Sequence, residues 1–346
     1  MKKMRILMGS ALLLTCGAAG LWADPVSGTL FVTTFNGGTN LDKVNFNYNG
    51  STISYTGFTG LAALAGADGL LFAPNASGNL LIGGQGQPTN GSANEVIEVT
   101  AAGGPVSTAS AGQGAYNLAL NGTGTMLFSS NNGGCGSQCI TGFTLSGGNL
   151  AGAGVLYTVT NSLAGDTNVD VRGLTFDPLN NTWYYGSGGD DNAGDFGTVA
   201  FNNSTHTAVL TPILTNVDAH SVAFDAFTGD ILYNGIETIA QYAPGVGVVS
   251  TLVTGISSDR IDQVATDGKG HLIASSNNGN VIFIDYDTTG KINTAGDFEN
   301  EQFLVSFLDD VAPLVNPNAT TPEPASIFLF GSVLVGIAFK LRKRNA

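Results

Sequence analysis

VRGLTFDPLNNTWYYGSGG, residues 171–189, reads as two short apolar strands reversing through a polar turn. The first run ends in Asp177-Pro178, the residue types that open a tight turn, and the second run carries aromatic and small residues suited to a pleated surface. The same grammar recurs along the chain. AHSVAFDAFTGDILYNG (219–235), ADGLLFAPNASGNLLIGG (67–84), IDQVATDGKGHLIASSNNGNVIFID (261–285) and the looser YNLALNGTGTMLFSSNN (116–132) each begin polar, run apolar-small-apolar, turn, and run apolar again. With Leu71, Ala119, Thr175, Ala223 and Ala265 as equivalents, the intervals are 48, 56, 48 and 42 residues. Further strand-like runs follow each pair, at 94–104, 139–149, 196–210, 236–253 and 280–292. Each unit therefore holds about four short strands, and a four-stranded unit with a period of roughly 40–50 residues is the signature of a β-propeller blade.

The two ends of the body complement each other. Residues 28–58 supply three strands without a leading one, and 306–315 supply a leading strand without followers. Asp309-Asp310-Val311-Ala312 matches the start of a repeat. Sharing one blade between the termini closes the ring and removes two open sheet edges. The reading is an all-β propeller of six four-stranded blades over 24–316, or seven if the 180–200 stretch hides further strands. A β-sandwich satisfies the strand spacing but not the repetition.

The units at 173–189 and 221–235 resemble the NHL-type and gluconolactonase-like propellers. That resemblance implies a fold more than an activity. In such a ring the leading strands line the central channel and gather the polar repeat starts at one mouth. These are Asp68, Tyr116, Arg172, His220, Asp262 and Asp309. The next column is Gly69, Asn117, Gly173, Ser221, Gln263 and Asp310. The resemblance further implies a divalent metal at this mouth, with Asp68, Asn117, Asp262 and Asp309 or Asp310 as oxygen donors. Arg172 departs from that pattern, because a fixed guanidinium opposes a cation, and the early glutamate of the lactonase pattern has no counterpart. The plain alternative is that these groups satisfy strand ends and channel water.

Composition narrows the partners. The chain carries −14 overall, but seven of its 12 basic residues lie in the two terminal segments, which leaves −20 between Asp24 and Thr320. A body this acidic repels a phosphate backbone, which excludes nucleic acid as a partner. Residues 1–23 have the basic start, apolar centre and small-residue end of a secretory signal peptide, although Leu14-Thr15-Cys16-Gly17 leaves a lipoprotein reading open. Export makes Cys135 and Cys139 of GGCGSQC a local disulfide in an oxidising compartment, with metal binding the alternative. Two acidic stretches invite Ca2+. Asp285, Asp287 and Thr289 alternate like the opening of a calcium loop but lack its closing acid, and GGDDNAGDFG (188–197) crowds Asp190, Asp191 and Asp195. The three histidines, His206, His220 and His271, form no recognisable hydrolase motif, and His220 alone lies in the channel column.

Residues 317–346 form a separate tail. It runs through Pro322-Glu323-Pro324, an apolar helix at 327–339 and the basic cluster 340–344. Thirteen apolar residues make about 20 Å of helix, against the ~20 residues a stable span requires. The three-part order resembles the PEP-CTERM sorting signal. That implies an exosortase as processing partner, transient inner-membrane anchoring, and a destination at the cell surface or in the extracellular matrix, with exopolysaccharide among the possible partners. A simple C-terminal anchor is the alternative. The composite expectation is an exported binding or structural module, with a metal-dependent lactonase-like hydrolase as the rival.

Overall fold

The computed structural model describes residues 25–313, apart from 36–39, 65, 76, 85–93, 113, 131–139, 164–169, 190–191, 255–259 and 296. The expectations for the signal peptide, Cys135 and Cys139, Asp190 and Asp191, Pro322-Glu323-Pro324 and the 327–339 helix lie outside the described residues. Among the described residues no helix is long and apolar enough to cross a membrane.

The described chain is all strand and turn. The N-terminal piece forms β1 (Val26–Thr34), β2 (Leu41–Tyr48) and β3 (Ile53–Ala62). Five antiparallel four-strand units follow. The first is β4 (Ala67–Phe72), β5 (Leu80–Gly84), β6 (Glu95–Val99) and β7 (Pro105–Ser110). The second is β8 (Leu118–Leu120), β9 (Met126–Ser130), β10 (Ile140–Ser146) and β11 (Asn149–Asn161). The third is β12 (Gly173–Asp177), β13 (Thr182–Gly189), β14 (Asn192–Asn202) and β15 (Thr207–Val217). The fourth is β16 (Ser221–Phe224), β17 (Ile231–Asn234), β18 (Thr238–Ala243) and β19 (Gly247–Val253). The fifth is β20 (Ile261–Thr266), β21 (His271–Ser276), β22 (Asn280–Asp285) and β23 (Phe298–Phe303). Finally β24 (Leu308–Val311) returns to pair with β1, which gives the sheet order β24-β1-β2-β3.

This is a six-bladed propeller latched by its two ends, and the 180–200 stretch is the β13–β14 hairpin rather than an extra blade. Val32 faces Val311 and Thr34 faces Leu308 across the latch, and Ala312 N–H donates to Phe31 C=O at 3.0 Å. One feature departs from six independent sheets. The outer strands β11 and β15 pair in parallel, from Thr158 with Thr207 to Asn161 with Leu210. Two long strands thereby cover each other's open edges.

The repeated aspartates explain the hairpins. Asp177 Oδ1 accepts the N–H of Leu179 at 2.8 Å, Asp225 Oδ1 that of Phe227 at 3.0 Å, and Asp267 Oδ1 that of Lys269 at 2.8 Å. Each closes an Asx turn that reverses the chain between the first and second strands of its blade.

Apolar side chains fill the spaces between blades. Between the fifth blade and the closing blade, Leu30, Val44, Phe46, Tyr48, Ala265, Ile273 and Phe283 form one buried cluster. Tyr48 also carries a polar tip, and its hydroxyl donates to Asp285 Oδ2 at 2.6 Å across 237 residues of sequence. Burial and that carboxylate push the Tyr48 hydroxyl pKa up, so it remains a donor. Tyr48→Phe leaves a buried carboxylate short of a partner, and we expect a loss of about 1–3 kcal/mol in urea denaturation. An unchanged midpoint would show that the latch gains nothing from this bond.

Candidate functional site

The inner strands bring the repeat starts to one place. Asp68, Tyr116, Asn117, Arg172, His220, Ser221, Asp262, Asp309 and Asp310 line a single cavity of about 130 Å³, joined by Phe35, Arg260 and Asn277. All six residues of the first column, with Asn117, Ser221 and Asp310 of the second, are therefore neighbours. Phe35, Arg260 and Asn277 escaped that reading because they follow a strand or precede one, outside the repeated register.

The second column divides by function. Asn117 Oδ1 accepts the N–H of Leu174 at 2.9 Å, and Gln263 Oε1 that of Val311 at 3.0 Å. These side chains pin one blade to the next. Gly69 and Gly173 occupy the same column because a neighbouring backbone lies where a side chain would go. A Cβ on Gly173 would sit 2.7 Å from Val222 N. Asp310 belongs to both roles. Its N–H donates to Thr33 Oγ1 at 3.0 Å, while the residue also lines the cavity.

Four buried aspartates meet in this small volume, and their electrostatics sort them into pairs. Burial raises Asp309 well above the usual carboxylate range, helped by the charges of Asp68 and Asp262 and a hydrogen bond to Asp262. Burial also raises Asp310, with the charges of Asp68 and Asp262 and a hydrogen bond to Asp68 adding to it. Both shifts favour the protonated acid, Asp309 as donor to Asp262 and Asp310 as donor to Asp68. Burial would lift Asp262 as well, but His220, Asp309 and Arg260 hold it below the usual range. His220 Nε2 lies 2.7 Å from Asp262 Oδ1. Arg172 Nε is 3.3 Å from Asp170 Oδ2.

Several buried atoms around the cavity have no hydrogen-bond partner among the described residues: Arg172 Nη1, His220 Nδ1, Ser221 Oγ and Asp309 Oδ2. An unmet buried polar group costs about 1–3 kcal/mol. Their gathering around one cavity that is roomy enough for water marks it as a place for polar guests.

The divalent metal implied by the lactonase resemblance does not fit these residues. Asn117 Oδ1 is spent on Leu174, and the guanidinium groups of Arg172 and Arg260 line the same cavity, where they oppose a cation. Among the described residues, the His, Asp and Glu side chains whose ligand atoms lie within 4.8 Å of one another are His271, Asp285 and Asp287, outside this cavity. Asp195 is buried in β14 opposite Thr215 rather than standing in a solvated loop.

The PEP-CTERM protein-sorting motif matches residues 320–344. No curated protein matches the chain. Solved structures share its fold at low identity. The periplasmic gluconolactonase of Pseudomonas aeruginosa is 13% identical, with a TM-score of 0.53 over 80% of this chain and 83% of that one. A Lactobacillus plantarum protein is 12% identical, with a TM-score of 0.50 over 81% and 83%. A protein of unknown function from Bacteroides caccae is 12% identical, with a TM-score of 0.50 over 82% and 97%. The chain is thus an all-β propeller carrying a PEP-CTERM sorting motif, and that motif implies export to the cell envelope and processing by an exosortase.

Proposed function

We propose that this protein is a surface or matrix binding module whose channel mouth captures a small, oxygen-rich anionic group, such as the carboxylate and hydroxyls of an acidic sugar in exopolysaccharide. The observation that carries the reading is the charge pattern of the cavity. Arg172 and Arg260 offer guanidinium donors, burial and neighbouring carboxylates shift Asp309 and Asp310 toward their neutral forms, and Arg172 Nη1 has no hydrogen-bond partner among the described residues. Planar guanidinium groups recognise carboxylates in two-point fashion, and a desolvated wall strengthens the contact. Exosortase cleavage near Pro322-Glu323-Pro324 releases the acidic body from its transient inner-membrane anchor. Intact mass of the surface-released protein checks this step, since a species retaining Lys340–Ala346 contradicts it.

Binding is tested by titrating acidic and neutral oligosaccharides into the exported protein by calorimetry. We expect acidic ligands to bind more tightly than neutral ones and Arg172→Ala to weaken them at least tenfold, with the melting temperature changing by only a few degrees. Equal affinity of wild type and Arg172→Ala overturns the site. A second reading, a lactonase-like hydrolase, is supported by the 2.7 Å contact of His220 with Asp262. That pair could take a proton from water beside the acid Asp309. Lactone hydrolysis that survives chelation and disappears in His220→Gln would favour it over the binding module.

A further inference from the structure

We propose that His271, Asp285 and Asp287 form a binding site for a divalent transition cation, best matched by Zn2+, which staples the fifth blade beside the closing latch. The backbone builds this site. His271 opens β21 and Asp285 closes β22, and the two are directly paired across the hairpin. Gly270 has φ +96°, and a Cβ there would lie 2.5 Å from Asp287 Cα, so the two loops can approach only through glycine. Tyr286 N–H donates to Gly270 C=O at 2.8 Å and fixes that approach.

The hydrogen bonds around His271 set its chemistry. Its Nδ1 is 2.6 Å from Asp267 Oδ2, and Asp267 Oδ1 already accepts two backbone N–H groups, from Lys269 and His271. Asp267 therefore acts as an acceptor and Nδ1 carries the hydrogen, which leaves Nε2 to hold either a metal ion or a second proton. A carboxylate behind the far nitrogen is the arrangement that orients and strengthens metal-binding histidines. The histidine is 1% exposed, and Nε2 has no hydrogen-bond partner among the described residues. It faces Asp285 Oδ2 at 3.9 Å, too far for a hydrogen bond and electron-rich on both sides.

The three ligand atoms lie within 4.8 Å of one another, and tetrahedral donors at about 2.0–2.1 Å from Zn2+ stand about 3.3–3.4 Å apart, so small side-chain rotations bring all three onto one ion. One imidazole with two carboxylates favours a first-row transition cation over Ca2+. Asp285 keeps its orientation through Tyr48, and Asp287 is the half-buried member that opens toward solvent. The calcium-loop pattern in the sequence pointed to the two aspartates but not to this donor set. Thr289 and Asp297, later in that pattern, hydrogen bond to each other at 3.0 Å. The other possible occupant of Nε2 is a proton. Burial disfavours an imidazolium, but Asp267, Asp285 and Asp287 outweigh burial and raise the histidine's pKa.

The test uses the whole exported protein, stripped with a chelator and titrated with ZnCl2 by calorimetry. One equivalent is expected to bind and to raise the melting temperature. Asp287→Asn, isosteric and half-buried, should keep the fold and weaken Zn2+ at least tenfold, and His271→Gln should do the same. Co2+ added to the wild type should show the visible absorption of a nitrogen-ligated site, absent in His271→Gln. If His271→Gln fails to fold, Asp287→Asn decides alone. The site is overturned if folded wild-type protein takes up no Zn2+, if Asp287→Asn binds it equally well, or if Ca2+ binds more tightly than Zn2+.

Discussion

Replacing Gly69 with alanine is expected to lower the melting temperature by about 6–12 °C, the largest single-residue effect in the ring. The cause is steric and lies between blades. A Cβ on Gly69 would overlap the carbonyl oxygen of Tyr116 and sit 2.8 Å from its carbonyl carbon. Both are backbone atoms of the next blade, so no side chain can swing aside. Overpacking a core usually costs about 1–3 kcal/mol, and a clash that only backbone movement relieves belongs at or beyond the top of that range. At about 2–4 °C per kcal/mol for a chain of this size, the shift follows. Gly173 repeats the geometry one contact later, where its Cβ would lie 2.8 Å from Ser221 Cα. Gly147→Ala separates sterics from conformation. Gly147 has φ +59° and open space around it, so alanine there pays only the left-handed backbone cost of about 1–2 kcal/mol. If Gly69→Ala melts no lower than Gly147→Ala, the blades do not meet at this column.

These glycines also show what the sequence could and could not convey. The repeated Asp177, Asp225 and Asp267 were legible as turn formers, and each closes its hairpin as the residue type demands. The partial repeat at Asp309-Asp310-Val311-Ala312 announced a shared blade because a lone leading strand needs partners, and β1 supplies them. The channel aspartates, Arg172 and His220 converge because register within a repeat maps directly onto position around an axis. What stayed hidden depends on distance between blades rather than on register. Nothing in a string distinguishes Gly69, which must be glycine to admit Tyr116, from a glycine that only turns the chain. His271 was dismissed as outside the channel column, since its relation to Asp267 and Asp285 arises from two loops meeting over Gly270. The β11–β15 pairing was likewise illegible, because strand length alone does not say which outer edges touch.

Asp310→Asn is expected to stabilise the protein at pH 8 while changing little at pH 4. In the folded state burial and the carboxylates of Asp68 and Asp262 raise Asp310 well above its ordinary range, and its proton is donated to Asp68. In the unfolded chain the same group ionises near pH 4. Between those two values the folded state holds a proton that the unfolded state has released, so stability falls as pH rises through the window. Below pH 4 both states are protonated and the contribution is intact. Each pH unit inside the window removes up to about 1.4 kcal/mol. Asparagine keeps the donor and the shape of the neutral acid but cannot ionise, so the variant should lack this slope. Asp42, raised by burial to about 6, and Glu299, raised by burial and Glu301, decline in the same direction in both proteins. The difference between the two curves therefore isolates the channel. Urea denaturation of wild type and Asp310→Asn from pH 4 to 8 provides it. Parallel curves would mean that Asp310 is ionised in the folded ring, and the cavity would then present an anionic wall. That outcome would also remove the basis for anion capture, because two further charges beside Asp68 and Asp262 would outnumber Arg172 and Arg260 at the mouth.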